Sequence, residues 1–283
     1  MNQPVAVLGA TGGQGGAVVR ALLAEGVPVR AVVRSPRSAR ARAPQERGVE
    51  VVPGDLEDTD SLTPAFTGVR AAFAVTTPFE EGVEAEVRQG RSIVSAAVAA
   101  EVPHLVFSSV AGADRDSGVP HFQSKHLTET MIGETRLPWT VVAPTYFFDN
   151  IRGSGEDLMN GVLPLPLEPE QPFQQVARPD LGAFVAHAIG NPEPHLGARI
   201  ELAGDDPTPT RMTQVLAHVL GRPVRPVTVP VSDVYAYSAD MGAMWEFIGG
   251  GGYQVDIPAL KASYPSVPWT SFAPWIEEAF TQS

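Results

Sequence analysis

The chain contains no cysteine, which excludes disulfides and thiolate metal sites and lends no support to a secreted setting. Lysine is almost missing too: Lys125 and Lys261 are the only two among 20 basic residues, the rest being arginine. No apolar run is long enough to span a bilayer. The first 19 residues carry no charge, but five glycines, a threonine and no basic segment argue against a signal peptide. Low-complexity tracts and internal repeats are absent, and the histidines at 104, 126, 187, 195 and 218 show no metal-ligand spacing. These absences leave a soluble, cytoplasmic protein with no membrane partner as the expectation.

The 283 residues suffice for one large α/β domain or a domain with a smaller lobe, at globular proportions of 43% hydrophobic and 18% charged residues. A net charge of −12 argues against nucleic acid as a partner. The charge is uneven. Residues 1–50 carry seven Arg against three Glu, a local balance of +4, which leaves −16 for the remainder. A basic opening in an acidic protein suits a bound polyphosphate, with a solvated basic helix at 36–47 as the lesser alternative.

The organising stretch is VAVLGATGGQGG at 5–16. A short apolar run stops at Gly9, and Gly12 and Gly15 follow at intervals of three, before a helical pattern over 14–25. Strand, glycine turn and helix open a dinucleotide-binding βαβ unit. Gly9 allows the tight turn, Gly12 lets backbone N–H groups approach a pyrophosphate, and Gly15 lets the helix pack close to the strand. The helix N-terminus then offers its unpaired N–H groups to the anion.

Further strands are expected at 29–33, 49–52, 71–75, 105–107 and 140–143, with a long helix over 82–101 whose apolar row is Val83, Val87, Gly90, Val94 and Val98. The alternation predicts an α/β fold with a doubly wound parallel sheet, Rossmann-like. At the end of the second strand, where an NAD site usually has an acid about 20 residues past the glycines, stands Arg34, followed by Ser35 and Arg37. A guanidinium fork pairs with phosphate, so the reading is NADP(H). Asp55 either accepts from the adenine amino group, with Leu56 against the ring, or caps the helix near Asp58. Thr76, Thr77 and Pro78, Ser108, and Pro144 with Tyr146 and Phe147 follow later strands, at the end where ligands of such sheets bind.

The second half is less regular. A helix over 180–190 and a strand over 199–202 read as returning to the sheet, whereas 151–175 and 204–271 read as a small lobe with Trp245, Phe247, Tyr253 and Tyr264. The division expected is thus 1–150 joined by 176–203, with the remainder of 151–283 as the smaller C-terminal lobe. The glycine run at 249–252 reads as a mobile or tightly bent loop.

His121 and Lys125 share one face at the start of a helix. A position keeping lysine in an arginine-biased chain fits hydrogen bonding to the nicotinamide ribose, although a surface lysine beside a helix N-terminus would look alike. His121 is either a proton donor or a bystander.

GATGGQGG, VVRSPR, GDLED, HFQSK, PTYFFDN, LAGDDPTPTRM and a late WTSFAPWIEE occur in an order that resembles the NmrA-like family, atypical members of the short-chain dehydrogenase/reductase superfamily. The resemblance covers nearly the whole chain and implies NADP(H) held between a Rossmann-like domain and a small lobe. The glycine turn then contributes Gly9, Thr11, Gly12, Gly13, Gln14 and Gly15, beside the later residues already named and Lys125. Typical superfamily members place the general-acid Tyr four residues before the Lys; here that position is His121. The departure matches NmrA-like proteins, which include NADP(H)-sensing regulators and reductases of quinones and other conjugated acceptors. Two functions stay open: an NADPH-dependent reductase of a small acceptor, with protons from solvent or His121, and a non-catalytic redox sensor acting through a protein partner. Monomer and homodimer both remain open.

Overall fold

The computed structural model describes residues 3–281. Among them eleven strands follow in order: β1 (Val5–Leu8), β2 (Val29–Val33), β3 (Glu50–Pro53), β4 (Ala71–Val75), β5 (Leu105–Ser108), β6 (Trp139–Pro144), β7 (Tyr146–Phe147), β8 (Val162–Leu165), β9 (Gln175–Val176), β10 (Ala198–Leu202) and β11 (Arg225–Thr228). The helices on the sheet side are α1 (Gly13–Ala24), α2 (Ala39–Glu46), α3 (Thr59–Phe66), α4 (Val83–Ala99) and α5 (Pro120–Gly133). Then come α6 (Gly155–Met159), α7 (Arg178–Gly190), α8 (Pro209–Leu220), α9 (Val231–Tyr237), α10 (Ala239–Gly249), α11 (Ile257–Ser263) and α12 (Phe272–Thr281).

Seven strands form one sheet in the order β10-β6-β5-β4-β1-β2-β3, with every pair parallel. β1 is buried at all four positions because it pairs on both edges, Val5 standing opposite Val29 and Ala71, while helices cover both faces. The strand order turns outward in both directions from β1, so a crevice opens at the carboxyl ends of β1 and β4.

Two apolar layers flank the sheet. One joins Val18 and Leu22 of α1 to Leu181 and Phe184 of α7, and the other joins Leu62, Phe66 and Ile93 to Phe107. A third core of Phe148, Phe173, Leu216, Trp245, Phe272 and Trp275 lies in the later segments and takes in Phe122 of α5. Residues 257–271, expected in the lobe, differ: Leu260, Val267 and Trp269 pack into the α1–α7 layer, and Tyr264 meets Phe184 edge-on at 4.8 Å. The glycine run after α10 is tightly bent, with Gly252 folded back against the Phe247 ring.

The buried face of α4 is rotated from the apolar row expected. Glu86, Gln89, Gly90, Ile93, Val94 and Ala97 are inside, whereas Val98 is 46% exposed. Polar Glu86 and Gln89 turn inward because partners wait there. Gly90 lets the helices close up, since a side chain at that position would collide with Thr128 of α5.

Behind β5 and β6, His104 hydrogen-bonds to Thr140 Oγ1 at 2.8 Å, and Thr140 donates to the His195 carbonyl at 2.8 Å. Burial, with a smaller contribution from neighbouring His195, pushes the His104 imidazole down from 6.5 to about 4. The folded state therefore refuses a proton that the unfolded chain accepts below pH 6.5. Stability from this group is complete above 6.5 and is lost as pH falls towards 4, about 3 kcal/mol in all. Urea denaturation at pH 7 and pH 4.5 should show this loss, and His104→Gln should flatten the dependence; an unchanged slope in the variant would refute the assignment. No helix of the described residues is long and apolar enough to cross a membrane.

Candidate functional site

The crevice is a cavity of about 750 Å³ running over the carboxyl ends of β1, β2 and β4 to α5 and α10. At its centre β1 ends in Gly9, whose φ of +63° turns the chain sharply, and Gly12 N–H donates to the Gly9 carbonyl at 2.8 Å. A side chain at Gly15 would collide with the carbonyl oxygens of Gly9 and Leu8, so glycine there sets the helix-to-strand distance. Gly9, Thr11, Gly12, Gly13, Gln14 and Gly15 all line the cavity.

One end is exposed and charged, with Arg34 and Arg40 set among Asp55, Glu57, Glu80 and Glu81. Arg34 at the end of β2 lines it with Arg40, and Arg34 pairs with Glu80 at 2.9 Å, Glu80 lying on the loop between β4 and α4. Ser35 and Arg37, expected beside the same phosphate, are not in the wall. They sit on the exposed outer turn before α2, and the first turn of α2 carries Arg40 back to the cavity instead. Asp55 and Leu56 line the same end. The cap of α3 is Asp58, which accepts from the N–H groups of Asp60 and Ser61, whereas Asp55 accepts from Glu57 N–H at 3.0 Å. The capping alternative for Asp55 is thereby overturned.

Thr76, Thr77 and Pro78 line the middle. Thr77 N–H donates to Gln89 Oε1 at 3.0 Å, which ties this loop to α4. Ser108 does not reach the wall. Strand alternation turns its hydroxyl towards α1, where it donates to Gln14 Oε1 at 2.7 Å, and Ser109 lines the cavity in its place. Pro144, Tyr146 and Phe147 line the far side. Burial, partly offset by a hydrogen bond with Asn150, pushes the Tyr146 phenol up to about 12, so it stays protonated.

Lys125 and His121 meet the cavity from α5. Lys125 Nζ donates to Glu86 Oε1 at 2.8 Å and to Thr76 O and Oγ1 at 3.2 Å. Glu86 is fully buried and also accepts from the hydroxyls of Thr76, at 2.8 Å, and of Ser124. The ammonium is thus fixed over the end of β4. His121 Nδ1 lies 2.8 Å from Asp240 Oδ2, and Phe79 stands 6.0 Å from its ring. Around them Phe122, Met241, Met244, Trp245 and Tyr253 make an apolar, aromatic end.

Several of these residues escaped the sequence. Glu86 had a signal, an acid four residues before Gly90 on one helix face. Arg178 had none. It opens α7, and its guanidinium lies within 2.7 Å of where a Gly13 Cβ would stand, stacks 5.5 Å from the Phe147 ring centre and reaches Asp149 at 3.4 Å. Its Nε is buried without a partner, as is Asp149 Oδ2. An arginine with an unused donor, held over the start of α1, fits an anion at the glycine turn.

Fold and site together define a doubly wound α/β protein with a dinucleotide-shaped cleft at its switch point. The pattern of the NmrA-like family matches residues 1–273, and the chain belongs to that family. An NAD(P)H azoreductase of Xenophilus azovorans is 29% identical over 240 residues, 84% of this chain and 81% of its own length. The NADPH-dependent quinone oxidoreductase of Escherichia coli, solved with NADPH, superposes with a TM-score of 0.84 at 25% identity over 98% of this chain and 99% of its own. NmrA itself, a negative transcriptional regulator, gives 0.80 at 21% identity over 100% of this chain and 97% of its own.

Proposed function

We propose that the protein binds NADPH and reduces small conjugated or aromatic acceptors. The observation that carries this reading is the continuous cavity, with two arginines at one end, a glycine turn at its centre and an aromatic end beside Lys125 and His121. Arg34 and Arg40 would take the 2′-phosphate, which displaces Glu80 from Arg34. Gly12, Gly13 and Arg178 would hold the pyrophosphate, Asp55 and Leu56 the adenine, and Lys125, by giving up a Thr76 contact, the nicotinamide ribose. Bound NADPH supplies a hydride from C4 of its reduced nicotinamide. Phe79, 72% exposed at the mouth, and the rings of Phe122, Trp245 and Tyr253 suit a flat acceptor. A pocket that is open and aromatic favours turnover over pure sensing, because a sensor has no need of a second, apolar compartment.

Calorimetric titration tests the cofactor assignment. Losing a charge-assisted phosphate contact costs about 1.5–3 kcal/mol, so Arg34→Ala should weaken NADPH roughly ten- to a hundredfold and leave NADH unchanged. Arg178→Met should weaken both cofactors alike, since both carry the pyrophosphate. Equal affinity of the unmutated protein for NADPH and NADH would sink the 2′-phosphate reading. Activity is tested by NADPH consumption against quinones, enones and azo dyes. Tight NADPH binding with no consumption would replace the reductase by the sensor acting through a protein partner.

A further inference from the structure

His121 is held by more than its own helix. Both carboxylate oxygens of Asp240 face its Nδ1, at 2.9 and 2.8 Å, and its backbone N–H donates to Asp240 Oδ1 at 3.0 Å. Asp240 belongs to the first turn of α10, so two segments distant in sequence meet at this imidazole. Burial pushes the Asp240 carboxyl up, but the hydrogen bonds and charge of His121 outweigh it and hold it below the ordinary carboxylate range. A carboxylate only accepts, so Nδ1 carries the proton and Nε2 is the nitrogen left for a ligand. The ring lies in the cavity wall, edge-on to Phe122 at 4.8 Å and near Phe79. Lys125, on the same face, donates to Glu86 and Thr76.

We infer that Asp240 and His121 form a proton-delivering dyad, with Asp240 as a positioning residue that stabilises the imidazolium and aims Nε2 at the acceptor. This inference rests on the reductase reading. When an acceptor has taken hydride at one atom, its conjugated partner atom holds the freed electron pair. The Nε2–H bond breaks, a new bond forms from that proton to the partner atom, and the imidazole is left neutral with Nδ1–H still on Asp240. Water restores the proton. The dyad matters most for acceptors whose reduced atom is strongly basic, such as an azo nitrogen or the α-carbon of an enone. It matters least for quinones, whose reduced anion is stable and takes its proton from solvent.

The test compares the unmutated protein with Asp240→Asn and His121→Gln. In Asp240→Asn the side-chain oxygen stays with the backbone N–H, so the amide nitrogen faces Nδ1 and the imidazole tautomer should reverse. Long-range ¹H–¹⁵N spectra should show Nδ1 protonated in the unmutated protein and unprotonated in the variant. Both variants should keep NADPH affinity, lose about a hundredfold or more in kcat with an azo dye or enone, and lose less than tenfold with a quinone. His121→Gln keeps Asp240, and covers the case in which Asp240→Asn loosens the contact between α5 and α10. Equal losses for all acceptors, no loss, or an unprotonated Nδ1 in the unmutated protein would overturn the dyad while leaving the reductase standing. NADPH binding without turnover of any acceptor would overturn both.

Discussion

Glu86→Leu should lower stability by about 3–5 kcal/mol, because it strands a buried ammonium. The Glu86 carboxylate is fully buried and accepts from Lys125, Thr76 and Ser124, and the Lys125 side chain is 9% exposed. Without the acid, the charge faces the Thr76 oxygens and the Phe107 ring, none of them anionic. For a chain of this size the midpoint of thermal unfolding should fall by on the order of 10 °C, measured by scanning calorimetry. The double variant Glu86→Leu with Lys125→Met removes both charges and should recover most of the loss. Its cofactor behaviour then separates two roles of Lys125. Weak NADPH binding in the restabilised double variant shows that the ammonium serves the ligand, and normal binding shows that it serves only the fold. A single variant costing under about 1 kcal/mol would mean that water reaches the pair, contrary to its burial.

The second large effect is expected at the glycine turn, where Gly12 and Gly15 should fail in different ways. A methyl at Gly15 meets the Leu8 carbonyl oxygen at 2.6 Å and Gly9 still closer, and backbone does not yield as a side chain does. Gly15→Ala must push α1 away from β1, costing about 1–3 kcal/mol and spoiling the anion site. At Gly12 the nearest atom would be the Gly9 oxygen at 3.3 Å, a contact that relaxes with a small shift. Gly12→Ala should therefore fold with near-normal stability. It should still lose NADPH affinity about a hundredfold, by placing a methyl where phosphate oxygens approach and removing about 3 kcal/mol of contacts. Urea denaturation paired with calorimetric titration reads both quantities. Normal NADPH affinity in Gly12→Ala would move the phosphate site elsewhere.

Much of this arrangement is written locally in the chain. The β1 run, the glycine spacing and the short buried strands at 29–33 and 71–75 fall where the sequence pattern sets them, because their signals sit within a dozen residues. The α4 face does not. Apolar counting selects Val83, Val87 and Val98, yet the inward face carries Glu86 and Gln89, whose burial depends on Lys125 and on the Thr77 N–H. A polar residue reads as inward only once its partner is known. The same holds across the site. Arg178 reaches Gly13 and Asp240 reaches His121 over long sequence separations, and no periodicity links them. Ser35 and Arg37 show the converse, since adjacency to Arg34 in sequence leaves them on the outer side of the turn, away from the cavity.

The late segment from α11 into α12 bears on how the molecule is made. Leu260, Val267 and Trp269 complete the layer between α1 and α7, and Phe272, Trp275 and Ile276 complete the separate core around Phe148. Asp180 receives the N–H of Thr270 at 2.7 Å and its hydroxyl at 2.8 Å, and Asp205 receives the N–H of Phe272 at 2.8 Å. A chain leaving the ribosome with its glycine turn already formed thus still lacks the side chains that seal the layer beneath it. Neither core can close until residues 260–276 emerge, so the two should become protease-resistant together, late in synthesis, rather than one after the other.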